Sequence, residues 1–182
     1  MCGIIGLFNI KNEETMRSEA LKMVRKIRHR GPDWSGSYSD DYCVLMHERL
    51  AIVDVEHGAQ PLYDTKTNRV LAVNGEIYNH LEIRDKLQTT SHQLLDWQGR
   101  SDTETLLAAF VNWGIEKTLN ACVGMFSIAL WDRQENVLTL VRDRMGEKPL
   151  YYGWQGNTFM FASELKALKV HPDFKGEIDR QS

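Results

Sequence analysis

MFSIALWD, residues 125–132, is apolar on both parities: Phe126, Ile128 and Leu130 on one, Met125, Ala129 and Trp131 on the other. A strand with one wet face alternates apolar and polar residues, so this one predicts a strand covered on both faces. GIIGLF, in the strand predicted over residues 2–9, reads the same way. NVLTLVRD (136–143), PLYYGW (149–154) and TFMFAS (158–163) follow at hairpin spacing, with DRQEN and QGN as turns. Two more strands are predicted around YCVLMHERL (42–50) and RVLAVNG (69–75).

Helices alternate with these strands. Met16, Ala20, Met23, Val24 and Ile27 fall at helical spacing within residues 12–32. Asn12 is the expected cap there, Glu13 and Glu14 suit the positive end of the dipole, and Gly31-Pro32 stops the helix. NHLEIRDKL (79–87) predicts a second helix and SDTETLLAAFVNWG (101–114) a third, with Ser101 and Glu104 at capping-box spacing. Short helices are expected over 115–122 and 163–170. The fold class is therefore α+β, with mostly antiparallel sheets. Two sheets packed together under outer helix layers satisfy the doubly apolar strands. The polar tail HPDFKGEIDRQS (171–182) reads as a linker, which leaves residues 2–170 as the domain.

The 182 residues are 42% hydrophobic and 26% charged, with a formal net charge of −3. No basic excess marks a nucleic-acid partner, and no apolar run approaches the roughly 20 residues of a membrane span. Cys2, Cys43 and Cys122 form no CxxC and are odd in number, which argues against a disulfide framework and for the cytoplasm. The six histidines show no metal-ligand spacing, so no metal site is expected.

Four short segments carry candidate chemistry. Removal of Met1 would give Cys2 both a thiol and a free α-amine, a nucleophile with its own base. Taken alone, Cys2 also reads as a small buried residue of an edge strand. In HERLAIVD (47–54), Arg49 can grip a carboxylate bidentately or simply pair with Glu48 or Asp54. In AVNGEIYNH (72–80), Asn74-Gly75 reads either as a hairpin turn or as an oxyanion hole, made from a side-chain amide and the next backbone N–H. Glu76 adds an acid able to bind an ammonium, and so does Asp102, which otherwise serves as a helix cap. Together these residues form a kit for attacking the side-chain amide of a free amino acid such as glutamine.

MCGIIGLF, RHRGPDWSG, HERLAIVD, AVNGEIYNH, SDTETLL and RDRMGEKPLYY, in this order, resemble the glutaminase domain of glutamine-hydrolysing asparagine synthetases. That domain is a class II glutamine amidotransferase. The resemblance covers essentially the whole chain. It implies the four-layer αββα fold of N-terminal nucleophile hydrolases and hydrolysis of L-glutamine to glutamate and ammonia. It makes Cys2 the nucleophile, Arg49 the carboxylate clamp, Asn74 and Gly75 the oxyanion hole, and Glu76 and Asp102 the ammonium ligands. Leu50, Ile52 and Val53 would line the pocket, and Arg30 would support it. RDRMGEKPLYY (142–152) would position the site or a domain interface, or would be a plain structural turn. No cofactor is expected for this domain. No SGGxDS-type loop occurs, so ATP and Mg2+ belong to a synthetase domain or subunit that takes the ammonia. A homodimer is compatible with this reading. The alternatives are a non-catalytic interaction module of the same fold and an amidotransferase feeding an acceptor other than aspartate.

Overall fold

A computed structural model describes residues 1–8, 13–90 and 95–177. One sheet contains β1 (Gly3–Phe8), β2 (Trp34–Ser39), β3 (Cys43–Arg49), β8 (Tyr151–Gln155) and β9 (Thr158–Ala162), in the order β2-β3-β1-β9-β8. The other contains β4 (Leu62–Asp64), β5 (Arg69–Ile77), β6 (Gly124–Asp132) and β7 (Val137–Arg142), in that order. Every pairing is antiparallel.

Three apolar clusters separate four layers. Ile4, Leu45 and Phe161 of the first sheet meet Val70, Ala72, Ala129 and Trp131 of the second. On the outer face of the first sheet, Ile5, Leu7, Val44 and Met46 pack on α1 (Glu13–Arg25) and α5 (Leu165–Leu168). On the outer face of the second, Leu71, Val73, Phe126 and Ile128 pack on α2 (His80–Thr90), α3 (Asp102–Trp113) and α4 (Ile115–Ala121). The double apolarity of β1 and β6 thus has the expected cause: one parity faces the opposite sheet and the other faces a helix. Gly6 has a packing reason, since a side chain there would collide with the Phe161 ring, which fills the gap between the sheets.

The ends of the elements differ from the sequence reading where polar contacts intervene. The helix expected to run to Arg30 stops at Arg25. The Lys26 and Ile27 N–H groups bond three residues back, and Arg28–Arg30 form a 3-10 turn. The change of direction brings Arg28 to Glu48 (2.6 Å) and Arg30 to the start of β1. Asn12, the expected cap, lies outside the described residues. Ser101 does cap α3 by accepting from the Glu104 N–H (3.1 Å). The Glu104 carboxylate does not reach back to Ser101; it binds Arg84 and the Gln98 and Gly99 N–H groups. Strands β2 and β4 are additions to the predicted set. The segment expected as a linker from residue 171 begins packed on the domain. His171 is buried against Glu19, and Phe174 packs on the α1 core.

Candidate active site

Cys2 immediately precedes β1, a central strand, and its position is fixed from several sides. The Ile4 N–H donates to Ser163 Oγ, and the Ser163 N–H donates to the Ile4 carbonyl, each at 2.9 Å. Arg30 donates Nε to the Cys2 carbonyl (2.8 Å) and Nη1 to Glu164 (3.0 Å). Lys166 and Arg30, through their hydrogen bonds, hold the Glu164 carboxyl down at about 2 against the opposing pull of desolvation. The Cys2 thiol sits at the end of β3, with Sγ accepting from the Leu50 N–H at 3.4 Å.

The opposite wall is the open edge of β5. Strand β4 pairs only as far as Leu71, so the later part of that edge has no strand neighbour among the described residues. The Val73 N–H is bonded instead by Gln60 Oε1 (2.7 Å), and the Ile77 N–H by Asp102 Oδ2 (2.9 Å). Gly75 lies between them. Its partner across the β5–β6 ladder is Phe126, whose own N–H and C=O are taken by Asp143. The pair is therefore of the non-hydrogen-bonded kind, and the Gly75 N–H points off the open edge. Glycine is required here, because a Cβ would lie 2.2 Å from the Met125 carbonyl oxygen.

Asn74 faces the first sheet, as Val70 and Ala72 do. It is fully buried, and neither its Oδ1 nor its Nδ2 has a partner among the described residues. A buried amide with both ends unpaired is costly, so both ends are available to a group that enters the cavity. The segment is in-strand, so the hairpin reading of Asn74-Gly75 does not apply.

Arg49 pairs with neither Glu48 nor Asp54 side chain. Its guanidinium donates Nη1 to the Val55 carbonyl (2.9 Å) and Nη2 to the Val53 and Asp54 carbonyls (3.2 and 2.5 Å). It thereby shapes the loop after β3 and keeps Nε–H and one Nη1–H without a partner among the described residues. Asp102 stands first in α3, accepting from the Thr103 and Ile77 N–H groups, each at 2.9 Å. Glu76 is half-buried on the same strand face as Asn74.

All of Cys2, Arg49, Leu50, Ile52, Val53, Asn74, Gly75, Glu76 and Asp102 line one cavity of about 90 Å³. Small-molecule sites start at roughly 300 Å³, and Met1 is among the residues that line this smaller one. Gln60, Met125 and Lys148 also line it and were not foreseen. Gln60 and Met125 carry no motif of their own, whereas Lys148 lies inside RDRMGEKPLYY. His47 is a further unforeseen residue: it crosses between the sheets, with Nε2 2.9 Å from the Val73 carbonyl. Burial pushes its ring down to about 4, so it is neutral at pH 7. A larger groove of about 1300 Å³ opens between β7 and β8, but its lining includes no cysteine, serine or histidine.

The whole chain, residues 1–182, matches the family described as glutamine amidotransferase domain. Asparagine synthetase B (glutamine-hydrolysing) of Escherichia coli K12 is 45% identical over 174 residues, 92% of this chain and 30% of that protein. Asparagine synthetase (glutamine-hydrolysing) 3 of Bacillus subtilis 168 is 37% identical, over 99% of this chain and 29% of that protein. The chain thus spans less than a third of the length of these curated relatives. Among solved structures, glutamine phosphoribosylpyrophosphate amidotransferase from B. subtilis superposes with a TM-score of 0.74 at 18% identity, covering 93% of this chain and 43% of that one. At that identity the likeness concerns the fold, the four-layer arrangement described above.

Proposed function

Since the chain belongs to the glutamine amidotransferase domain family, we propose that this cavity hydrolyses L-glutamine to glutamate and ammonia through a thioester on Cys2. The observation that carries the reading is the buried, unpartnered Asn74 amide beside the outward-pointing Gly75 N–H, in the cavity that holds the thiol. These are two preorganised donors beside the thiol, the arrangement that stabilises a developing oxyanion.

With Met1 removed, the α-amine of Cys2 takes the thiol proton, through a water. The thiolate attacks the side-chain amide carbon, and Asn74 Nδ2 and the Gly75 N–H hold the oxygen. As the intermediate collapses, the protonated amine gives its proton to the departing ammonia. Water, deprotonated by the same amine, then cleaves the thioester. Arg49 directs its uncommitted N–H groups to the substrate carboxylate. Glu76 and Asp102 take the ammonium, Asp102 being held in place by two backbone N–H groups. Removal of Met1 also takes away one of the residues that line the cavity.

The names of the relatives support a destination for the ammonia, an asparagine synthetase domain, and ATP and Mg2+ would belong to that domain. Free Cys2, Cys43 and Cys122 support a reducing compartment such as the cytoplasm. The test uses a diazoketone analogue of glutamine on Met1-free protein, read by peptide mass spectrometry. Labelling confined to Cys2 and blocked by excess glutamine is expected. An unlabelled Cys2 would make the domain a non-catalytic module of the same fold.

A further inference from the structure

The segment RDRMGEKPLYY (142–152) is unused by the steps above, yet it is heavily built. The Asp143 carboxylate accepts from the N–H groups of Phe126 (3.2 Å), Glu147 (2.9 Å) and Lys148 (3.0 Å). Arg142 donates Nε to the Lys148 carbonyl (2.7 Å) and Nη2 to the Gly146 carbonyl (2.6 Å). The peptide groups on both sides of Lys148 are thus fixed.

The side chain so placed points into the Cys2 cavity and is only 4% exposed. Its Nζ lies 3.3 Å from Met1 Sδ, and no carboxylate among the described residues pairs with it. A buried ammonium without an anionic partner is costly, so its position calls for a compensating role. Once Met1 is removed, that ammonium shares the cavity with the α-amine and thiol of Cys2. The other charged groups there are Arg49 from β3, Glu76 from β5 and Asp102 from α3. Arg30 is bonded to the Cys2 carbonyl and to Glu164.

We propose that Lys148 is a positioning residue for the nucleophile: its ammonium disfavours a second cation on the Cys2 α-amine and favours the thiolate. Both effects have the same sign, because a fixed positive charge lowers the pKa of a neighbouring amine and of a neighbouring thiol. The proton leaving sulfur then passes to the amine. The inference rests on the reading of Cys2 as nucleophile.

The experiment measures the pH dependence of Cys2 alkylation by iodoacetamide in Met1-free protein, with the labelled peptide identified by mass. Burial pushes up the thiols of Cys43 and of Cys122, the latter to about 11, so they do not compete. In Lys148→Met and Lys148→Gln the alkylation midpoint is expected to rise by about one pH unit or more. The acid limb of kcat/KM for glutamine should move the same way, and Lys148→Arg should stay with the parent. An unmoved midpoint in either neutral variant, with a parental melting temperature, would overturn the proposal and leave Lys148 a packing residue. Because alkylation needs no turnover, the parent's failure to hydrolyse glutamine would count against the glutaminase reading alone.

Discussion

Asn74 and Arg49 show how differently single residues of this site could be read. Asn-Gly is the strongest short hairpin signal, and in this chain it sits inside the nine-residue strand β5. Its role could be argued from sequence only in company with Cys2 and the acids, and the unpaired buried amide supplies the physical reason. Asn74→Ala should lower kcat by about 10²–10³ with little change in KM, as loss of one oxyanion donor does. Steady-state kinetics decide it, and a change confined to KM would move Asn74 to ground-state binding. For Arg49, the sequence offered a clamp or a surface ion pair, and the structure adds a third task, holding three loop carbonyls. Arg49→Ala should raise the glutamine KM roughly 10- to 100-fold, the worth of a charge-assisted hydrogen bond. Arg49→Lys should not restore it, because an ammonium cannot serve the carbonyls and a carboxylate together. An unchanged KM in Arg49→Ala would remove the clamp.

At the scale of elements, the open edge of β5 is the feature that makes the site. Side chains, not a strand, satisfy its backbone: Gln60 at the Val73 N–H, His47 at the Val73 carbonyl, and Asp102 at the Ile77 N–H. In the proposed reaction, that leaves the Gly75 N–H for the substrate. No periodicity in the sequence announces this, because Gln60 and His47 look like ordinary loop and strand residues until two sheets bring them together. The edge strands β2 and β4 were illegible for a related reason. WSGSYS is serine-rich and exposed, and LYD is three residues long. His47 makes the arrangement testable by pH. Unfolded, its ring binds a proton near 6.5; folded, burial delays that to about 4. Acidification through this window therefore favours the unfolded chain, and the stability present above pH 6.5 is lost by roughly 2–3 kcal/mol. Urea titrations of His47→Gln should show a shallower slope between pH 6.5 and 4 than the parent. Equal slopes would show that the ring is not held neutral.

For the whole molecule, the layer order followed from strands that are apolar on both parities, and the site lies in the cavity where the start of β1 meets the open edge of β5. Positions 2, 49, 74 and 102 converge there from four separate segments. Spacing alone would not have joined them; their agreement with one family's motifs did. Lys148 escaped that reading because its importance lies in its burial beside Cys2, which no spacing in the sequence announces. The central claim is that Cys2 acts as an N-terminal nucleophile, with its own amine as base. Ammonia release from glutamine, compared between preparations with Met1 removed and Met1 retained and verified by intact mass, tests it most directly. Activity is expected in the first and its loss in the second; equal activity in the two would rule out the Cys2 amine as the base.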